Sequence, residues 1–223
     1  MNVRFFSVFI MGMFLLAGCS GYRFNTNNNP LIGYDIKTVA VPLFINRSVL
    51  PQLAAPLTKE IMLTLSEYPG LKVISGDDEQ ADAVLIGIVE TKDHYAEVVT
   101  SSQRLFTDGD IKTSIGERNS FYYPSQTTYN CSLRLMLIKR PTKSELSIFT
   151  GENGLTHLSH PKIVLENTIN ITGNFTRIIN ETFTDNSAGE VNFVKNKGLL
   201  EKNIMETSYQ AAQTFRQVIL NAF

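Results

Sequence analysis

The chain has 223 residues, of which 18% are charged, and a formal net charge of −1. That balance excludes a broad cationic footprint for nucleic acid, which needs a surplus of Lys and Arg. The length leaves room for one domain with a proper core, or at most two small ones.

Arg4 is followed by Phe5 to Leu16 without a charge, and the run closes on Leu16-Ala17-Gly18-Cys19. A basic start, an apolar stretch and small closing residues have the layout of a secretory signal peptide. The stretch is about a dozen residues, whereas a membrane-spanning helix needs ~20. Its Leu-Ala-Gly-Cys ending resembles a bacterial lipobox. The resemblance implies removal of residues 1–18 and a mature chain that begins at Cys19, acylated (palmitate included) on thiol and amine. Each buried methylene contributes ~0.8 kcal/mol, and two or more chains anchor a protein stably to a bilayer. Aspartate after the lipidated cysteine commonly retains such proteins in the inner membrane, so Ser20 fits an outer-membrane destination in a Gram-negative envelope. The mature chain then loses Arg4 and carries a net charge of −2. Once Cys19 is lipidated Cys131 has no partner for a disulfide, and its neighbours Tyr129, Leu133 and Leu135 mark it as a small buried side chain.

Residues 19–34 are rich in Asn, Gly and Pro and read as a lipidated tether, with 35–223 as a single periplasmic domain. Ile36 to Ile45 is nearly continuously apolar, as expected of a strand covered on both faces, with Pro42 marking an edge or a bulge. Leu53, Leu57, Ile61 and Leu65 form a helical stripe that starts near Leu53, puts Pro56 in the first turn and ends at Pro69-Gly70. Leu71 to Ser75 is a short apolar piece before the acidic turn Asp77-Asp78-Glu79. Ala81 to Val89 is a second apolar strand, extending in more polar form towards Val99, and its Gly87 signals a bulge or a close approach.

Thr100 to Gln126 is polar without a sustained period. It reads either as a long functional loop or as a hairpin around Asp108-Gly109-Asp110. Tyr129 to Leu137 alternates cleanly: Tyr129, Cys131, Leu133, Leu135 and Leu137 face one way, and Asn130, Ser132, Arg134 and Met136 the other. Ile163 to Thr172 repeats the pattern, with Ile163, Leu165, Ile169 and Ile171 set against Glu166, Thr168, Asn170 and Thr172. A short strand is expected at Leu146 to Phe149. Gly198 precedes a last helix whose stripe is Ile204, Ala211, Phe215, Val218 and Ala222. Two helices packed on one face of a roughly four-stranded mixed sheet make an α+β two-layer sandwich.

Catalytic patterns are missing from the sequence. It has no nucleophile elbow, no phosphate-binding glycine loop and no Cys-x-x-Cys. His157 and His160 lack a third metal ligand, so neither a metal nor another cofactor is expected. Asn-x-Ser/Thr sequons at Asn46, Asn130, Asn170, Asn174 and Asn180 read as a by-product of an Asn- and Thr-rich composition.

After the lipobox come Gly21-Tyr22-Arg23-Phe24 and then Val39-Ala40-Val41-Pro42-Leu43-Phe44-Ile45-Asn46-Arg47-Ser48. A helix with Leu53-Ala54 and Leu57-Thr58 follows, then Ala81-Asp82-Ala83-Val84-Leu85-Ile86-Gly87. In this order the elements resemble the LPS-assembly lipoprotein family, LptE. The resemblance covers most of the mature chain in element order, but only the two strand segments match in detail. It implies two helices on a four-stranded sheet and a protein without covalent chemistry. It also implies that the chain plugs the outer-membrane LPS translocon barrel, LptD, and binds lipopolysaccharide. Such a protein is lipid-anchored and faces the periplasm or the barrel lumen. In that family phosphate-binding cations sit in loops at one end of the domain. By region this points to Arg104 and Arg118 in the long polar stretch and to Lys195 and Lys197 ahead of the last helix. Arg134 either joins them or pairs with Glu166 across the sheet. A second resemblance, to the small domains of the curli secretion channel and the TolB amino-terminal domain, implies a secretion-pore subunit or scaffold instead.

Overall fold

The computed structural model describes residues 29–78, 80–91, 99–105, 122–150, 160–177 and 193–222. Its spine is an antiparallel pair, β4 (Ala83–Glu90) against β6 (Tyr122–Lys139), in register from Ala83↔Lys139 to Glu90↔Ser132. On the other side of β4 lie β1 (Thr38–Val41) and β2 (Ile45–Arg47), both parallel to it, and β1 also takes β3 (Lys72–Ser75) in parallel. The amino-terminal half of β6 pairs with β5 (Val99–Leu105), and its far edge holds β7 (Ile163–Thr176). The result is one seven-stranded mixed sheet whose main path runs β3-β1-β4-β6-β5.

Two long helices, α1 (Ala54–Ser66) and α3 (Phe193–Ala222), cover one face, and the short α2 (Lys143–Thr150) covers part of the other. The two-layer α+β class is as the sequence implied. The sheet has more strands than four because Pro42 splits the first strand and the polar stretch after Val99 contributes two arms. β1 is an interior strand, not an edge. Pro42, which has no N–H to donate, falls in the gap where the chain leaves the ladder and rejoins it as β2. In that gap Phe44 is pinned, its N–H donating to Thr58 Oγ1 at 3.0 Å while Thr58 donates to Ala54 O at 2.8 Å. The ring lies over Gly87, where an added Cβ would come within 2.5 Å of it, so the glycine marks a close approach as expected.

α1 takes the predicted stripe, with Leu57, Ile61 and Leu65 buried and Pro56 in the first turn, where its missing N–H is harmless. It ends at Ser66, a turn earlier than the expected stop at Pro69-Gly70, where Gly70 adopts φ +79°. Four expectations need correction. The segment Leu146 to Phe149 is helix, because Thr142 and Glu145 form a reciprocal capping box: Thr142 N–H donates to Glu145 Oε2 at 2.7 Å, and Glu145 N–H to Thr142 Oγ1 at 3.3 Å. The last helix begins at Phe193, so Gly198 lies inside it, where a Cβ would meet nothing. Ala222 is exposed, off the buried stripe of Ile204, Ala211 and Phe215. A register shift opposite Leu137/Ile138 turns Ile163 to the α2 side of the sheet, while Leu165, Ile169 and Ile171 keep to the α1/α3 side.

Candidate functional site

The chain enters the fold at one end of the sheet. Asn29 and Leu31, within the stretch read as tether, are buried. Asn29 Nδ2 donates to Ile36 O at 2.7 Å, and Leu31 N–H donates to Asn29 Oδ1 at 2.9 Å. The Lys37 and Thr38 N–H groups both donate to Asp82 Oδ2 at 3.0 Å. Those bonds, that from Lys37 foremost, together with the charge of Arg140, hold the Asp82 carboxyl below its ordinary value. Lys139 Nζ reaches Tyr34 O at 2.6 Å. Residues 29–38 are thereby stapled to the end where β4 begins and β6 stops. Ile32 and Tyr34 are exposed there, at 60% and 44%.

The opposite end gathers the tips of β5 and β6, the last residues of β7 and the start of α3. Arg104 registers with Tyr123 in the β5–β6 pair, so the polar stretch is at least partly hairpin. Lys195 and Lys197 stand in the first two turns of α3, not ahead of it, and both are exposed. Lys197 Nζ is 3.8 Å from Glu201 one turn on. The first turn holds no acidic residue, and both lysines stand close to the positive end of the helix dipole. α3 is tied to this end through Asn203, which donates to Asn174 O at 2.8 Å and accepts from the Tyr129 hydroxyl at 3.0 Å. Arg177, which the sequence reading missed, lies here too, its guanidinium 4.7 Å above the Phe175 ring and donating to Thr127 Oγ1. Cys19, Arg118, His157 and Asn180 lie outside the described residues.

The fold separates the two ends by nearly the whole of β6. From Lys139 to Tyr123 the strand extends roughly 50 Å at ~3.3 Å per residue. Three of the four cations chosen from the sequence (Arg104, Lys195, Lys197) are thus brought to one end, remote from the amino-terminal staple.

The outer sheet face is split. Near the staple it is covered: Phe149 and Leu146 of α2 pack on Val84, Ile86, Met136 and Ile138, so Met136 is buried rather than wet. Arg134 is also buried, its Nε donating to Glu166 Oε1 at 2.9 Å, which settles its role as a cross-strand partner. Glu145 accepts from Lys162 Nζ at 2.7 Å, foremost among the contacts that pull its carboxyl down to about 2. His160, 3.8 Å from Glu145, meets Phe149 edge-on at 5.5 Å and so belongs to the packing of α2. Burial pushes the Cys131 thiol up to about 11, consistent with a side chain kept as an apolar filler. Among the described residues, no three His, Cys, Asp or Glu side chains gather where they could hold a metal ion. An open groove of about 380 Å³ between α1 and β3 is lined by Leu43, Met62, Leu63 and Val73, with Lys59 its only charged group.

No family model matches the chain, and no curated protein does. Similar solved structures include rare lipoprotein B from Shewanella oneidensis, at 7% identity over 81% of this chain and 97% of that one, with a TM-score of 0.32. Lipoprotein B from Nitrosomonas europaea is 12% identical over 88% of both chains, with a TM-score of 0.34. The PelC dodecamer from Paraburkholderia phytofirmans is 14% identical over 78% of this chain and 86% of that one, with a TM-score of 0.28. Likenesses this loose carry no inference about what this chain does.

Proposed function

We propose that the chain is an outer-membrane lipoprotein, held by acyl groups on Cys19, that occupies the lumen of an LptD-like barrel. There it binds lipopolysaccharide without covalent chemistry and assists its assembly at the cell surface. The observation that carries this reading is the polarity of the molecule along its length. The amino-terminal chain is stapled at one end of the sheet, while Arg104, Lys195 and Lys197 collect at the other. Such a body presents phosphate-binding cations well beyond its attachment point, and the interior of an outer-membrane barrel is polar enough to receive it. Lysines at the start of α3, with the helix N–H groups beside them, suit the phosphates of lipid A and the core.

Affinity purification from detergent-solubilised outer membranes tests the proposal. A large β-barrel should co-purify in equal amount, and Cys19→Ala should release the chain from the membrane. A homo-oligomeric ring without a barrel would instead favour a secretion-pore subunit or scaffold. A chain that remains membrane-bound without Cys19 would remove the anchor from the account.

A further inference from the structure

Beyond the Arg134–Glu166 pair, the described outward positions of β6 and β7 carry no charge. On β6 the outward positions are Gln126, Thr128, Asn130 and Ser132; on β7 they are Asn170, Thr172, Asn174 and Thr176. Cross-strand register puts an amide opposite a hydroxyl four times in succession: Gln126↔Thr176, Thr128↔Asn174, Asn130↔Thr172 and Ser132↔Asn170. Six of these eight side chains are exposed, and Thr128 and Ser132 are half-buried. Thr100 and Ser102 of β5 register with Thr128 and Gln126 beside this pattern. The pattern also explains three of the sequons, at Asn130, Asn170 and Asn174. A period of two places the Asn and the Ser or Thr of each on the same face.

A face that only needs to be wet has no reason to avoid charge; soluble surfaces are commonly a quarter or more Lys, Arg, Glu and Asp. This chain uses charge freely elsewhere, as on the outer side of α3 with Lys197, Glu201, Lys202 and Glu206. The ionic groups that border the face at Ser132 are paired with one another: Arg134 with Glu166, and Glu90, which registers with Ser132, with Arg47 at 3.5 Å. Among the described residues of this stretch, anions would find no unpaired cation, and lipid tails no apolar patch. A neutral ligand rich in hydroxyls is a different case. A charged side chain against it must shed water without gaining a counter-ion, whereas amides and hydroxyls both donate and accept. Adjacent strands lie ~4.8 Å apart, a spacing on the scale of one sugar ring.

We propose that this amide–hydroxyl face of β6 and β7 binds an uncharged oligosaccharide. The detergent-solubilised full chain is passed over dextran, mannan and galactan matrices at high salt. Retention on at least one is expected, with competition by the free polymer. The double variant Asn170→Asp, Asn174→Asp keeps side-chain shape on exposed positions, and its fold is checked by its melting curve. It should lose at least tenfold in affinity, while Lys197→Glu should lose none. No retention on any of the three matrices overturns the proposal, as does retention that survives the two aspartates. Retention only on a polyanion such as heparin, or capture of a protein by this face with no sugar bound, overturns it likewise. Barrel partnership is read by co-purification, so either inference can fail without the other.

Discussion

Two glycines fix how aromatic side chains sit in the core. Gly173 lies directly across from Tyr129 in the β6–β7 pair, and a Cβ there would come within 2.0 Å of Tyr129 Cζ. The fully buried ring therefore lies flat over the glycine and carries its hydroxyl on to Asn203 in α3. This single stack joins strand, strand and helix at the cationic end of the molecule. Gly173→Ala is expected to destabilise the domain by about 2 kcal/mol or somewhat more, because overpacking displaces the ring and its hydrogen bond together. Tyr129→Phe should cost about 1 kcal/mol, since packing survives and only the hydroxyl is lost. Urea unfolding of both variants checks this, and an unchanged midpoint for Gly173→Ala would contradict the stacked geometry.

At the scale of elements, α2 shows how a local signal outranks an apolar pattern. Leu146, Ile148 and Phe149 suggest a strand when read alone, but Thr142 and Glu145 close a capping box, and Lys162 Nζ sits 2.7 Å from Glu145 Oε2. The Glu145 carboxyl, ordinarily near 4.5, is drawn down to about 2, chiefly by Lys162. A lowered folded-state value means that its stabilisation is complete above 4.5 and fades as pH falls towards 2. Glu145→Gln should therefore melt lower than the wild type at neutral pH and match it near pH 2. Equal melting temperatures at every pH would remove the interaction from the account. Elements that bury one face were legible in the sequence: the stripe from Leu53 to Leu65 and the alternation from Tyr129 to Leu137 are consequences of burial. The arms at Val99–Leu105 and Tyr122–Thr128 were not, because their sequence is polar without a sustained period and their partners lie on another strand. Gly198 was misread as a boundary. On an exposed helix position glycine costs only about 1 kcal/mol, which a 30-residue helix tolerates. At the candidate site, the placement of Arg104, Lys195 and Lys197 at one end depends on strand register and helix packing, which no local pattern encodes.

The described residues form a rod with unlike ends, and that shape bears on how a chain acylated at Cys19 would stand at a membrane. Residues 19–28 precede the staple at Asn29, and ten extended residues reach at most ~35 Å. The stapled end is therefore held near the bilayer in a chain acylated at Cys19, and the exposed Ile32 and Tyr34 give that end an amphipathic rim. The start of α3 lies roughly 50 Å further along the sheet, beyond the tether's reach when the rod stands upright. Val194, 80% exposed, marks that far end, as Ile32 marks the near one. Single cysteines at these positions can carry a fluorophore, since Cys131 is buried. In lipidated protein on vesicles with spin-labelled headgroups, the label on Ile32→Cys should be quenched several-fold more than that on Val194→Cys. Equal quenching would mean that the rod lies along the membrane. Its cations would then meet the headgroups of its own bilayer, and the ends would have no separate roles.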